Sequence, residues 1–204
     1  MQRFAQIEYA QAEVLQQELV QQRKRDQIED QLLLLEHPPV YTLGRGATLD
    51  NLRDQSIVPV RTGRGGEITY HGPGQLVAYP ILWLEVGRRD LHRYLRDLEQ
   101  VVMDLCQDYG LPTERKEGKT GVWCGKGKLA SIGVRASSWV TSHGVALNYG
   151  LDLSGFEAII PCGLQGVEMI SLSQQVGEVS RVDVEERFSR HFSRIFAREI
   201  VSER

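Results

Sequence analysis

The chain has 204 residues, a formal net charge of −3 at pH 7, and a composition that is 41% apolar and 25% charged. This is enough sequence for one compact domain over residues 1–204, and the slightly acidic balance does not favour nucleic acid as a partner. The apolar runs, such as residues 32–35, are far too short to span a bilayer, so we expect no membrane partner. Three widely spaced cysteines fit neither a disulfide framework nor a structural zinc site, and without a signal-peptide pattern they indicate a cytoplasmic protein.

The first half of the chain predicts one helix followed by short strands. Residues 9–25 carry alanine, leucine and valine at helical spacing, which is typical of an amphipathic helix. Residues 31–45 predict a buried strand, a break at the Pro-Pro pair 38–39, and a second short strand. Glycine turns then separate β-rich runs over 57–63, 67–72 and 75–84.

The second half predicts a helix, a block of strands and a last helix. Asp90 is placed to cap a helix of apolar residues at helical spacing. Strand-like runs follow over 119–135 and 139–153, and Asp183 with Glu186 resembles a capping box for the last helix. Because the helices flank the strands rather than alternating with them, we expect an α+β fold with a mixed, mainly antiparallel sheet flanked by helices.

The densest glycine segment, GRGGEITYHGPGQ at residues 63–75, predicts a close approach of backbone to a ligand. It lacks the lysine and hydroxyl residue of a phosphate-binding P-loop. It is followed by a strand-like run rather than by the helix that a dinucleotide fingerprint requires. A plain glycine hairpin is the alternative, but Arg64, Thr69, His71 and Gln75 supply more polar groups than a turn needs.

Cys162, in the sequence IIPCGL, is the strongest candidate nucleophile. The preceding apolar run predicts a strand, and the flanking proline and glycine predict a sharp turn that presents the thiol. A buried structural cysteine is the alternative for Cys162. Cys106 lies in the apolar stripe of a predicted helix, where the structural interpretation is stronger, and Cys124 lies in a strand beside a turn.

Lys128 begins an apolar run that predicts a strand entering the core, which is an unusual position for a lysine. Lys126 is expected to face the same way on that strand, so the two compete for any role at a site. His71 and His143 have no acidic or cysteine partner at local spacing and are weak metal ligands. Together these residues suggest a thiol nucleophile near a lysine, beside a pocket walled by glycine.

The segment from residue 64 to residue 79, RGGEITYHGPGQLVAY, resembles the signature of the lipoyl(octanoyl) transferases. That signature is Arg-Gly-Gly, two residues, Thr, an aromatic residue, His, two residues and Gly-Gln before a strand that ends in an aromatic residue, and every position is met. The similarity covers about residues 9–175 in order and implies the fold shared by biotin and lipoate protein ligases. The other matching segments are 32–45, 119–135, 139–148 and 152–163.

By position, the resemblance implies that Cys162 forms an acyl-thioester and that Lys128 favours its thiolate. It implies one catalytic domain that moves an octanoyl group from octanoyl-acyl carrier protein to a lysine of a lipoyl domain, without cofactor or metal. The acceptors would be lipoyl domains of 2-oxoacid dehydrogenases and the glycine cleavage H protein. We expect His143 to orient substrate. The substrate-contacting segments fall on Arg64, Gly65, Gly66, Glu67, Ile68, Thr69, Tyr70, His71, Ser131, Ile132, Gly133, Gly144, Val145 and Ala146.

The energetics of this chemistry separate two enzyme classes. Transfer of an acyl group between two thioesters changes the free energy little, and transfer from a thioester to an amine lowers it, so a transferase needs no ATP. Covalent transfer between two protein substrates is expected to show ping-pong kinetics. An ATP-dependent lipoate or octanoate protein ligase of the same fold is one alternative, and a non-catalytic acyl-binding module is another. Backbone N–H groups beside Cys162, or in an expected turn at residues 131–133, are candidate donors to the oxyanion.

Overall fold

The computed structural model describes residues 1–163 and 166–201. Its helices are α1 (Tyr9–Lys24), α2 (Leu91–Asp108), α3 (Leu172–Val176) and α4 (Arg181–Phe196). Its strands are β1 (Gln2–Arg3), β2 (Gln31–Leu35), β3 (Val40–Leu43), β4 (Val60–Arg61), β5 (Thr69–His71), β6 (Gln75–Ile81), β7 (Glu114–Lys116), β8 (Lys119–Cys124), β9 (Gly127–Ser137), β10 (Val140–Asn148) and β11 (Glu168–Met169).

The main sheet is mixed and mainly antiparallel. Among the described residues it contains eight strands in the order β1-β2-β6-β10-β9-β8-β7, with β11 pairing beside β9. Only the pairs β1–β2 and β11–β9 are parallel among its described ladders. The strands β4, β3 and β5 form a separate small sheet. This architecture confirms the predicted α+β fold.

Helices cover both faces of the main sheet. Apolar residues of α2 and α4 pack with one face of β6, β9 and β10 in the largest core cluster, which includes the rings of Phe188 and Phe192. On the other face, α1 contributes Ala12, Leu19 and Val20 to a second cluster. Within the described ranges, no helix is long and apolar enough to cross a membrane.

The start of α4 corrects one expectation about helix capping. The N-cap is Ser180, whose hydroxyl accepts a hydrogen bond from the Asp183 N–H at 3.2 Å. The helix therefore begins three residues earlier than the predicted Asp183–Glu186 capping box, and Asp183 lies in the first turn. Its negative charge is favourable there because it opposes the positive end of the helix dipole.

Two glycines face each other where β9 and β10 pair at the centre of the main sheet. Gly144 is opposite Gly133, and an ideal Cβ on Gly144 would lie 2.2 Å from the carbonyl oxygen of Ala78 on β6. This is far inside van der Waals contact, so the strand spacing requires glycine.

We predict that Gly144→Ala lowers the free energy of unfolding by about 3 kcal/mol, because the new methyl group must push β6 and β10 apart. Urea denaturation measures the change. Gly150→Ala is the matched control, since no atom lies within 4 Å of its ideal Cβ, and it should stay within about 1 kcal/mol of the parent. Equal effects of the two variants would contradict this account of Gly144.

Candidate active site

Cys162 and Lys128 line the same cavity, which has a volume of about 520 Å³. Its floor is the paired segment of β9 and β10 from Ser131 to Ala146, and the glycine-rich segment before β5 forms a wall. The beginnings of α1 and α2, two residues of β6 and residues 118–120 also contribute to the lining. The sequence therefore predicted the floor, one wall and the proximity of Cys162 to Lys128, although these are far apart in the chain.

Cys162 lies on a tight 3₁₀ turn, Pro161–Gly163, with φ of 57°. Its N–H donates to the Ile68 carbonyl at 3.2 Å, and the Gly163 N–H donates to the Ile160 carbonyl at 3.1 Å. The sharp turn matches the prediction, but the approach is not a strand. A 3₁₀ turn spans Leu153–Ala158 because the Asp152 side chain accepts from the Ser154 N–H and starts a turn instead.

Lys128 lies on β9 with only 2% of its surface exposed, and its Nζ donates to Cys162 Sγ at 3.0 Å. The Ser131 hydroxyl oxygen lies 3.9 Å from the same sulfur. Lys126 does not share this strand, because it is exposed in the turn between β8 and β9. The expectation that it faces the same way as Lys128 is wrong, and the turn removes it from the site.

The glycine-rich wall brings backbone against backbone. The Gly65 N–H donates to the Val134 carbonyl of β9 at 3.0 Å, and an ideal Cβ on Gly133 would lie 2.8 Å from the Gly65 carbonyl oxygen. Gly66 has φ of 86°, in the left-handed region that favours glycine. Residues 131–133 lie inside β9, so the expectation of a turn there is wrong.

The cavity is lined by fifteen of the seventeen residues singled out from the sequence. Ile68 and Tyr70 are the exceptions, and both pack into a separate core cluster beneath the small sheet. Side chains alternate between the two faces of a strand, so Thr69 and His71 face the cavity while their neighbours face away. Ile68 acts on the site only through its carbonyl group, which accepts from Cys162.

Arg64 is a buried cation in the cavity wall. Its Nη2 donates to the carbonyl and hydroxyl oxygens of Thr42, each at 2.8 Å, and its Nη1 donates to the Gly65 carbonyl at 3.1 Å. Among the described residues it forms no ion pair with a carboxylate. Burial lowers the pKa of its guanidinium. A positive potential therefore faces a site in which thioester chemistry would develop negative charge.

A directed chain of hydrogen bonds runs from this arginine into the sheet. Thr42 Oγ1 donates to His71 Nε2 at 3.3 Å, and His71 Nδ1–H donates to Gln75 Oε1 at 2.6 Å. Gln75 Nε2 then donates to Asn148 Oδ1 at 2.8 Å. Because Thr42, His71 and Gln75 are each hydrogen-bonded to the members before and after them, the chain fixes the His71 ring and holds β5 against β10.

Three histidines are buried neutral around the cavity. Burial, the largest cause in each case, lowers the pKa of His37 to about 4, of His71 to about 3 and of His143 to about 4. His37 accepts a hydrogen bond from the Tyr79 hydroxyl at 2.8 Å, and Tyr79 lines the cavity. At neutral pH these rings are uncharged. Those of His37 and His71 are hydrogen-bonded, whereas Nδ1 of His143 has no hydrogen-bond partner among the described residues.

Several lining residues were missed by the sequence analysis. Helical periodicity placed Tyr9 and Leu91 in their helices, but it cannot say that a helix start borders a site. Tyr79 and Val77 carried only a strand signal. An alternation count along β6 could have assigned Val77 and Tyr79 to one face.

We predict that the protein loses stability as pH falls from 6.5 towards 4. The three histidines take up protons in the unfolded chain below its ordinary pKa of about 6.5 but stay neutral in the folded chain. Between pH 6 and pH 5 the free energy of unfolding should fall by about 1 kcal/mol per buried histidine. Urea unfolding at the two pH values measures this. His71→Gln should reduce the slope, exposed His92→Gln should not, and equal slopes in both variants would refute the assignment.

The chain matches proteins of one family over most of its length. Residues 8–193 match the family described as the lipoyl protein ligase A/B catalytic domain. An octanoyltransferase of Syntrophotalea carbinolica is 56% identical over 164 residues, which cover 80% of this chain and 78% of that protein. An octanoyltransferase of Solibacter usitatus is 47% identical over 203 residues, which cover 96% of this chain and 92% of that protein.

Solved structures share the fold at much lower identity. A bi-partite lipoate protein ligase from Thermoplasma acidophilum superposes with a TM-score of 0.78 at 15% identity, covering 99% of this chain and 85% of that one. Lipoate-protein ligase A bound with ATP superposes with a TM-score of 0.78 at 14% identity, and the match covers 99% of this chain and 87% of that one. The distant structures therefore establish the fold, and the close relatives establish the family. The chain belongs to the lipoyl protein ligase A/B catalytic-domain family and, within it, to the octanoyltransferases.

Proposed function

We propose that this octanoyltransferase takes its octanoyl group from octanoyl-acyl carrier protein, holds it as a thioester on Cys162, and passes it to a lysine of a lipoyl domain. The observation that carries this proposal is the 3.0 Å contact between Lys128 Nζ and Cys162 Sγ in a cavity with a volume of about 520 Å³. A lysine with no carboxylate partner beside a thiol favours the thiolate, which is the reactive form of cysteine.

In the first half-reaction the Cys162 thiolate attacks the carbonyl carbon of the donor thioester. A tetrahedral intermediate forms, and the bond from that carbon to the carrier sulfur breaks. The Lys128 ammonium then gives a proton to the departing carrier thiolate. Cys162 is left octanoylated and Lys128 is left neutral.

In the second half-reaction the amine of the acceptor lysine attacks the octanoyl carbonyl on Cys162. Neutral Lys128 takes a proton from this amine, and the carbon–sulfur bond to Cys162 breaks. The amide is released, and the enzyme returns to its thiolate and ammonium pair. Two covalent steps with two protein substrates in turn give ping-pong kinetics.

The developing oxyanion needs a donor close to the reacting carbon. The N–H groups of Cys162 and Gly163 are already bonded to the carbonyls of Ile68 and Ile160, so they are not free for this role. We assign the role to the Ser131 hydroxyl, whose oxygen lies 3.9 Å from the sulfur. The cation of Arg64 would add favourable potential from the wall of the same cavity.

The lining suits an unbranched acyl chain. Side chains of Val77, Ile132, Val145 and Ala146 supply apolar surface, and the neighbouring glycines leave space beside them. Each methylene group buried there contributes about 0.8 kcal/mol. The volume of about 520 Å³ leaves room for the chain together with the incoming arm of the donor or the acceptor lysine.

An ATP-dependent ligase on the same fold is the second candidate function. Ligases with this fold include one bound with ATP, but its 14% identity to this chain supports a likeness of fold alone. The acceptor class is supported by the octanoyltransferases to which this chain is 47% to 56% identical, and not by the distant structures. A ligase that makes an acyl-adenylate would have no use for the Cys162–Lys128 contact, whereas an acyl-thioester mechanism requires it.

We predict that Cys162→Ala lowers the rate of octanoyl transfer about 10⁴-fold or more, because no other thiol lines the cavity among the described residues. The variant should keep its fold. Transfer from octanoyl-acyl carrier protein to a purified lipoyl domain, followed by mass spectrometry of the acceptor, measures it. The parent protein should work in ATP-free buffer. A strict ATP requirement would favour the ligase, and full activity of Cys162→Ala would eliminate this nucleophile.

We also predict that Lys128→Ala slows acylation of Cys162 by about 100-fold at neutral pH, with partial recovery at alkaline pH where the thiolate forms unaided. Rapid-quench measurement of the octanoylated enzyme gives the rate. Exposed Lys126→Ala is the matched control and should change the rate less than twofold. If Lys126→Ala is as slow as Lys128→Ala, the lysine assignment is wrong.

A further inference from the structure

The ammonium of Lys128 has little to hold it in place besides Cys162. Its other neighbouring group is the ring of Trp123, whose centroid is 5.5 Å from Nζ. Among the described residues it forms no ion pair with a carboxylate. The position of Nζ therefore depends on how the four-carbon stem of the lysine is packed.

That stem lies across the backbone of Gly121 on the neighbouring strand β8. An ideal Cβ on Gly121 would be 2.7 Å from Lys128 Cε and 2.5 Å from the Ala130 carbonyl oxygen. The φ of Gly121 is 131°, a conformation that side chains with a Cβ rarely adopt. Gly121 lies at an irregular point of both ladders of β8. The register with β9 shifts between Val122 and Trp123, and the register with β7 shifts between Glu114 and Lys116, so neither ladder gives Gly121 a partner directly opposite.

Glu99 provides the hydrogen bond that holds the Gly121 backbone in place. Its Oε1 accepts a hydrogen bond from the Gly121 N–H at 3.0 Å, and its side chain is fully buried on α2. Its Oε2 accepts from Arg96 at 2.6 Å and from Arg115 at 2.9 Å. Arg115 also donates to the Arg96 carbonyl at 3.0 Å and so ties β7 to α2.

Arg96 and Arg115 hold the Glu99 side chain in position and also neutralise its negative charge. A buried carboxylate without partners would attract the nearest cation, and an attraction for Lys128 would compete with the thiol. Because Arg96, Arg115 and one N–H occupy the Glu99 oxygens, the carboxylate is satisfied without the lysine. Glu99 can therefore fix the backbone beneath Lys128 without drawing its ammonium away from Cys162.

We propose that Glu99 is a positioning residue for the transfer reaction: through the Gly121 N–H it fixes the backbone on which the Lys128 stem rests, and so sets the distance from Nζ to the Cys162 sulfur. The inference rests on the proposed roles of Cys162 and Lys128. It adds a residue on α2 that does not touch the reacting atoms and does not line the cavity.

The test is a double-mutant cycle read by a probe that needs no protein substrate. The rate of iodoacetamide alkylation at Cys162, followed by mass spectrometry of its peptide, is measured against pH for the parent, Lys128→Ala, Glu99→Ala and the double variant. Misplacing a catalytic group by about 1 Å can cost about 100-fold. We expect Glu99→Ala to slow alkylation at pH 7 about 10-fold to 100-fold and to move the half-maximal rate to higher pH, as Lys128→Ala does.

In the Lys128→Ala background, Glu99→Ala should change the rate less than twofold, because no lysine remains to be positioned. An equal slowing in both backgrounds would show a general structural role and would overturn the inference. If Lys128→Ala itself leaves the pH profile unchanged, the proposed function fails instead, so the two failures are distinguishable.

Two further variants keep the test decisive if Glu99→Ala does not fold. Glu99→Gln keeps one oxygen for the Gly121 N–H but turns an NH₂ group towards Arg96 and Arg115, so its rate should fall between those of the parent and Glu99→Ala. Gly121→Ala puts a methyl group where the Lys128 stem lies, and it should reproduce the slow, alkaline-shifted profile. Gly125→Ala, in the adjacent turn with φ of 54° and no atom within 4 Å of its ideal Cβ, controls for backbone strain and should leave the profile unchanged. A parent-like profile in Gly121→Ala would refute the proposal.

Discussion

The arrangement of this protein depends on a buried lysine whose ammonium donates a hydrogen bond to the sulfur of a cysteine. Taking an ammonium group out of water is costly unless an opposite charge stands beside it. Here Lys128 is 2% exposed and its Nζ is 3.0 Å from Cys162 Sγ, so the sulfur is the group placed to offset that cost. The same contact carries the proposal that Cys162 is the nucleophile.

The fold supplies the two halves of this contact from separate elements. Lys128 is the second residue of β9, where it pairs with Trp123 of β8 on one side and with Met169 of β11 on the other, so its backbone is held from both sides. Cys162 lies on an irregular turn, but two hydrogen bonds anchor that turn. The Cys162 N–H donates to the carbonyl of Ile68, which precedes β5, and the Ile160 N–H donates to the carbonyl of Asn51 in the 3₁₀ turn Leu49–Asn51. A rigid strand and an anchored turn can keep two groups together although 34 residues separate them in the chain.

Much of this arrangement could be predicted from the sequence, because local patterns carry it. Periodicity gave α1 and α2, Asp90 marked the start of α2, and glycine with proline marked the turn at Cys162. The predictions that were wrong concern features that depend on a single side chain or on pairing between strands. Ser180 displaced the predicted cap of α4, and residues 131–133 form strand because β10 pairs with them.

Other features could not be read from the sequence at all. The contribution of Glu99 depends on α2 lying against β8, and no spacing rule connects a helix glutamate to a glycine 22 positions later. Equally, the burial of three neutral histidines follows from how two sheets and α1 close around one cavity. The sequence pattern pointed to Cys162 and Lys128 as candidate reactive groups, whereas their surroundings follow from tertiary packing.

The central claim is that the octanoyl group passes through Cys162, and isolation of the intermediate tests it most directly. The enzyme is incubated with octanoyl-acyl carrier protein, separated from all donor, and then given a lipoyl domain in ATP-free buffer. Intact-mass spectrometry should show one octanoyl group on Cys162 that disappears from the enzyme at the rate at which it appears on the acceptor lysine. An enzyme that carries no octanoyl group, or one whose octanoyl group stays on Cys162 after the lipoyl domain is added, would contradict this account.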